Sequence, residues 1–265
     1  MEKALRAGAD ALILDLEDAV APAAKPEARR HVAAFLNANS TARLWVRINP
    51  LDGDESDKDL AAILSSHPDG IVLPKAEGGA SVADLTRRLT ERGNATAQIL
   101  AIATETPAAI FQLGTYGGSK RLVGLTWGAE DLPAAIGAST SREPDGRFTP
   151  PYELARSLCL FGAAAAGVAP IETVYPAFRD SDGLAAYAAR ARRDGFTGMM
   201  AIHPDQVPVI NAAFTPSEAE VARARAVVAA FEANPQAGAL SLEGRMIDRP
   251  HLVQAQRTLS AAEVR

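Results

Sequence analysis

Seven short apolar runs, at 11–16, 43–50, 70–75, 98–104, 121–127, 169–175 and 198–204, recur along the 265 residues. Each is too short for a helix and reads as a buried strand. Between them lie helical stretches at 27–37, 57–64, 81–91, 108–113, 151–167 and 184–194, with further helices at 216–234 and near the C-terminus and a leading one over 1–9. Strand and helix in alternation is the pattern of parallel β/α units. An open doubly wound sheet and a closed barrel both satisfy it. The polar residues discriminate: Glu17, Asp18, Arg47, Lys75, Glu105, Asp131, Glu172 and His203 all fall at or near strand carboxyl ends. In an open sheet, with strands about 4.8 Å apart, the first and last of these would stand roughly 25 Å apart. A closed barrel gathers them on one face, where such proteins carry their sites. The expectation is therefore an α/β chain with a TIM (β/α)8-type barrel over 1–215 and a C-terminal helical extension and lid over 216–265.

Glu105 and Asp131 are the most informative pair. Each ends an apolar run and is followed at once by turn or helix-start residues, which places two carboxylates on neighbouring strand ends. At about 4 Å apart they would repel by about 4 kcal/mol at an effective dielectric near 20, and a divalent cation would reverse the sign. Oxygen ligands favour magnesium, or manganese, over zinc. Either acid could instead cap a helix.

The net charge of -5 offers no broad basic surface. That argues against nucleic acid and against an anionic membrane face. No apolar run approaches the roughly 18 residues that span a bilayer, and the first residues lack a secretory core, so a cytoplasmic protein is expected. The single cysteine, Cys159, sits on an apolar helix face and has no local basic partner for nucleophilic work.

The segments Leu14-Asp15-Leu16-Glu17-Asp18-Ala19-Val20, Val46-Arg47-Ile48-Asn49-Pro50, Leu73-Pro74-Lys75, Glu105-Thr106, Gly128-Ala129-Glu130-Asp131-Leu132, Ala201-Ile202-His203-Pro204 and Gly244-Arg245-Met246-Ile247-Asp248-Arg249-Pro250 stand in that order. Together they resemble the HpcH/HpaI aldolase and citrate lyase β-subunit superfamily, most closely its CitE-like CoA-ester lyases. The resemblance implies a TIM barrel, usually trimeric or a dimer of trimers, that uses magnesium to make or break a carbon–carbon bond between a 2-oxo acid and an acyl-CoA. By motif, Glu105 and Asp131 are the implied metal ligands. Arg47 would contact the oxo acid, and Glu17 and Asp18 would lie near the metal's waters. Gly128, Ala129 and Glu130 would line the substrate pocket. Asp248, in a segment that covers a neighbouring subunit's site in relatives, would be the acid/base group. For CoA, the local cations are Lys25, Arg29 and Arg30.

Bland roles stand beside these: Asp248 as a helix cap, Arg47 as a partner of Asp18 or Glu17, and His203 as a structural hydrogen-bonding residue. The family's leading Arg-Ser-x-Leu-x-x-Pro-Gly strand is absent, so a barrel lacking its first strand is expected, with the natural start upstream or a gap in the wall. The implied activity is magnesium-dependent cleavage of a malyl-CoA or citramalyl-CoA type thioester to acetyl-CoA and a 2-oxo acid. The alternatives are a metal-dependent 2-oxo acid aldolase without CoA, or a β-subunit-like component that needs a partner complex.

Overall fold

The computed structural model describes residues 2–263, so Met1 of the expected first helix lies outside them. The strands are β1 Leu12–Asp15, β2 Leu44–Arg47, β3 Gly70–Leu73, β4 Gln98–Ile102, β5 Leu122–Thr126, β6 Ala169–Glu172, β7 Gly198–Met199, β8 Ala239–Leu242 and β9 Arg245–Asp248. The helices are α1 Glu2–Leu5, α2 Lys25–Ala38, α3 Asp54–Ile63, α4 Gly79–Glu91, α5 Pro107–Ile110, α6 Asp131–Ile136, α7 Pro150–Ala166, α8 Ser181–Asp194, α9 Gln206–Phe214, α10 Glu218–Ala233 and α11 Arg249–Glu263. All seven expected strands form, and they pair in parallel in simple chain order, with β1 and β7 at the ends of that order. This is the topology of a (β/α) barrel wall made of seven strands.

Two compact units divide at Ile210/Asn211. In the first, each strand shows one face to the helices and the other to the inside of the curl. Val82, Leu85 and Leu89 form the buried stripe of α4, and Val32 and Leu36 that of α2. On the inner face Trp45, Val72, Leu100 and Ile102 cluster, with Val123 and Ile171 packed against them. Gly70 sits opposite Trp45 in the β2–β3 register, and a Cβ there would come within 2.4 Å of the indole, so only glycine lets the ring lie across the sheet.

Curvature is required by the contacts at the strand ends. Glu17 follows β1, Lys75 follows β3 and Asp131 follows β5; in a flat sheet β1 and β5 would be roughly 19 Å apart. Yet the Lys75 ammonium lies 3.1 Å from Glu17 Oε1 and 3.5 Å from Asp131 Oδ1. The sheet must curl to close that span.

The second unit, 211–265, has its own core of Ala224, Val227, Phe231, Ile247 and Ala255. A reciprocal cap between Ser217 and Glu220 starts α10. The segment before α11, read from sequence only as Gly-containing, is an antiparallel hairpin, β8–β9. Its two-residue turn, Glu243-Gly244, has positive φ at both positions (54° and 75°), which is what a tight hairpin needs. Among the described residues no helix is long and apolar enough to cross a membrane.

Candidate functional site

At the carboxyl ends of β1 and β2, Asp15 and Arg47 face each other in register. Arg47 grips both oxygens of Asp15, from Nε at 2.8 Å and from Nη2 at 2.6 Å. Its third nitrogen, Nη1, stands 3.0 Å from Glu17 Oε2. Alternation along the chain puts Asp15 and Glu17 on the same side. Burial pushes the Asp15 carboxyl up, but bonds from Arg47 and from the Glu17 N–H outweigh it and hold its pKa below the ordinary value. For Glu17, only 3 % exposed, burial wins over the attraction of Arg47 and Lys75 and raises its pKa. Its Oε2, though close to Arg47, has no aligned N–H and stays without a hydrogen bond.

Lys75 follows β3 with a left-handed backbone, φ 48°. Its N–H donates to Glu105 Oε2 at 2.6 Å while its ammonium reaches Glu17 and Asp131. Burial works against the charged amine, but Glu17, Asp131 and Glu105 together raise its pKa. Glu105 itself is buried beyond the end of β4. Burial foremost, with the charges of Asp131 and Glu17 and against the Lys75 N–H, pushes its pKa up to about 8. Gly128 makes room for it, since a Cβ at 128 would fall 2.6 Å from Glu105 Cγ. The Gly128 N–H donates to Thr104 Oγ1 at 3.0 Å and ties the two strand ends together. Asp131 opens α6 and is half-buried.

Four carboxylates, Asp15, Glu17, Glu105 and Asp131, thus face two permanent cations, Arg47 and Lys75. With all four ionised the deficit is two positive charges, the charge of one divalent ion; in the metal-free chain at neutral pH the proton on Glu105 covers one of them. A buried carboxylate oxygen lacking a donor, a carboxylate held largely protonated at neutral pH and an all-oxygen donor set suit a hard cation. Among the described residues no three His, Cys, Asp or Glu side chains form a ready cage. A cation on Glu105 and Asp131 would therefore complete its shell with water and ligand oxygens.

The other expected residues divide. Asp18 is exposed and reaches Glu17 and Arg47 only through its charge, so Arg47 pairs with Asp15 and Glu17, not with Asp18. Ala129 is buried, and Glu130 is exposed. All three Lys25 donors are engaged within the chain, on Leu16 O (3.0 Å), Glu17 O (3.2 Å) and Asn49 Oδ1 (2.5 Å). Arg29 is buried on Glu55 and Asp59, while Arg30 is exposed. A CoA phosphate at this cluster meets only Arg30 without a structural bond being broken. In the second unit Asp248 ends β9 directly before α11, the position of a cap, but its carboxylate contacts a ring: Oδ1 lies 2.5 Å from His251 Nδ1. His203 stacks on Phe178 and its Nδ1 accepts the Asp205 N–H, a structural role.

Sequence reasoning missed Asp15, hidden inside an apolar run, and gave Lys75 no role. The i, i+2 spacing of Asp15 and Glu17 was the available signal.

The sequence profile of the HpcH/HpaI aldolase/citrate lyase family matches residues 1–204. The chain belongs to this family. Among curated members, a citrate lyase subunit beta-like protein of Mycobacterium tuberculosis (strain CDC 1551 / Oshkosh) is 37 % identical over 256 residues, 97 % of this chain and 89 % of the relative. A (3S)-malyl-CoA thioesterase of Cereibacter sphaeroides (strain KD131 / KCTC 12085) is 33 % identical over 99 % of this chain and 90 % of its own. The crystal structure of CitE from M. tuberculosis with magnesium, acetoacetate and coenzyme A matches with a TM-score of 0.84 and 35 % identity, covering 99 % of this chain and 93 % of that one. The curled sheet is thus the HpcH/HpaI wall, and Glu17, Arg47, Lys75, Glu105 and Asp131 lie at or beyond the carboxyl ends of its strands.

Proposed function

We propose that this HpcH/HpaI family chain is a magnesium-dependent carbon–carbon lyase that cleaves a 3-hydroxyacyl-CoA of the malyl-CoA or citramalyl-CoA type to acetyl-CoA and a 2-oxo acid. The supporting observation is the buried Glu105, facing Asp131 and Glu17 in a cluster that is two positive charges short of neutral once all its acids are ionised. The family relationship to citrate lyase β-like and malyl-CoA proteins, and to a CitE structure holding magnesium and CoA, supports the substrate class.

Glu105 and Asp131 would hold the ion. When bound, magnesium supplies the positive charge that fixes two substrate oxygens and lowers the cost of negative charge on the hydroxyl oxygen. Glu105 gives up its proton to serve, which makes binding pH-dependent. Arg47, already oriented by Asp15, presents its remaining N–H groups to the carboxylate of the departing oxo acid. Asp248 of a neighbouring copy of the chain takes the hydroxyl proton; the carbon–carbon bond breaks, its electrons pass to the thioester enolate, and the same carboxyl returns the proton to that carbon to give acetyl-CoA. Gly128 and Ala129 keep the wall beside Glu105 thin, and the exposed Asp18 and Glu130 order water at the rim. The C-terminal unit serves as a lid on a neighbouring copy's site, and the assembly is a homotrimer or a dimer of trimers, for which exposed Phe111, Leu154 and Phe161 offer apolar surface.

The test is incubation of the purified chain alone with malyl-CoA and citramalyl-CoA, with magnesium or with EDTA. Acetyl-CoA and the matching oxo acid should appear only with magnesium. Free CoA with an intact hydroxy acid would assign a thioesterase, and silence until partner subunits are added would assign a complex component.

A further inference from the structure

Lys75 touches three of the four clustered acids: its backbone N–H holds Glu105 and its ammonium lies between Glu17 and Asp131. An ordinary surface lysine makes one loose pair. This one is two-thirds buried and is turned inward by a left-handed backbone that a non-glycine residue rarely adopts. The two ammonium contacts differ. The one to Glu17 is shorter, at 3.1 Å, and has hydrogen-bond geometry; the one to Asp131 is 3.5 Å and is an ion pair only. Glu17 also has Arg47 nearby on its other oxygen, so Asp131 depends on Lys75 for its compensating charge more than Glu17 does.

Taking Glu105 and Asp131 as the metal ligands, as proposed above, we infer that Lys75 is the site's resident counter-ion: it holds Asp131 while no divalent ion is bound, and an arriving ion takes Asp131 from it. Binding of the ion is then a competition with an internal ammonium, and the lysine keeps Glu17 after Asp131 is lost. The device keeps the acids together in the metal-free protein and sets the affinity for the ion below what the two carboxylates alone would give. Removing a positive charge a few ångströms from a dication strengthens that dication's binding.

The experiment is calorimetric titration of the full chain with magnesium chloride, without any CoA ester, on wild type, Lys75→Met and Lys75→Arg. Lys75→Met, nearly the same shape without the charge, should bind magnesium at least tenfold more tightly and melt at a lower temperature when metal-free. Lys75→Arg should return the affinity toward wild type. A merely structural lysine would lower the melting temperature without tightening the metal, so unchanged or weaker binding by Lys75→Met overturns the inference. Should Lys75→Met not fold, the wild type suffices: acylation of Lys75, followed by mass spectrometry, should speed up on adding magnesium, and protection or no change overturns it. Wild type that binds magnesium while Lys75→Met binds no tighter defeats this inference alone. Absence of binding in all three proteins removes the metal-lyase reading as well.

Discussion

Two buried glutamates at strand ends, Glu105 and Glu172, have opposite surroundings. Glu172, at the end of β6, is fully buried and accepts from Trp127 Nε1 (2.5 Å), Arg156 Nε (2.7 Å), Tyr187 Oη (2.9 Å) and the Thr173 N–H (3.0 Å). Glu105 accepts one backbone N–H and faces two further acids. A carboxylate saturated with donors is finished, and it holds the fold together by joining β5, β6, α7 and α8. One left short of donors beside like charges is stable only with a proton or a cation, and that makes it the functional one. The strand-end position is common to both; the number of donors separates them.

Mutation should separate the two glutamates by what each loss takes away. Glu105→Gln should keep the fold and lose about a thousandfold or more in kcat/KM on the active thioester, because the donor set loses an anionic ligand. If the activity survives, Glu105 is no ligand. Glu172→Ala should do the reverse: it leaves Arg156 with Asp194 as its one carboxylate, and denaturant unfolding should show a loss of roughly 3 kcal/mol. Stability within experimental error of wild type would mean the hub is ornamental.

Acidity sharpens the contrast. The folded pKa of Glu105 is raised from 4.5 to about 8, so between those values the folded metal-free chain holds a proton that the unfolded chain has released. Its contribution is fully present below pH 4.5 and declines as pH rises to about 8, by about 1.4 kcal/mol per pH unit at most. Melting curves in EDTA should fall across that window, and Glu105→Gln should flatten them; a slope unaffected by the substitution would contradict the account. Trp127→Phe has the smallest effect, removing one of Glu172's four donors at a cost of about 1.5 kcal/mol in unfolding experiments. A larger loss would show that the indole, through its edge-on contact with Phe148, carries more than that bond.

Much of this was legible in the chain. The seven strands announce themselves as apolar runs, and their polar last residues place Glu17, Glu105 and Asp131 at one end. Helices α6 and α9 were not legible, because Pro133 and Pro208 look like breakers; both sit in the first turn, where no intrahelical N–H is required. The hairpin β8–β9 lacks an Asn-Gly or Asp-Gly turn, and Glu243-Gly244 does not advertise one. In the site, the positive φ of Lys75 is decided by three acids on other strands, and the grip of Arg47 on Asp15 depends on register. Neither is written in local sequence. The position of Lys25 suggested a phosphate ligand, but the carbonyls left open beyond β1 claim its ammonium.

Isothermal titration of magnesium into the metal-free chain tests the central claim, that the acid cluster, once Glu105 gives up its proton, is two positive charges short and is completed by one dication on Glu105 and Asp131. One saturable site per chain is predicted, abolished in both Glu105→Gln and Asp131→Asn. No saturable binding by the wild type, or binding that survives both substitutions, would contradict it.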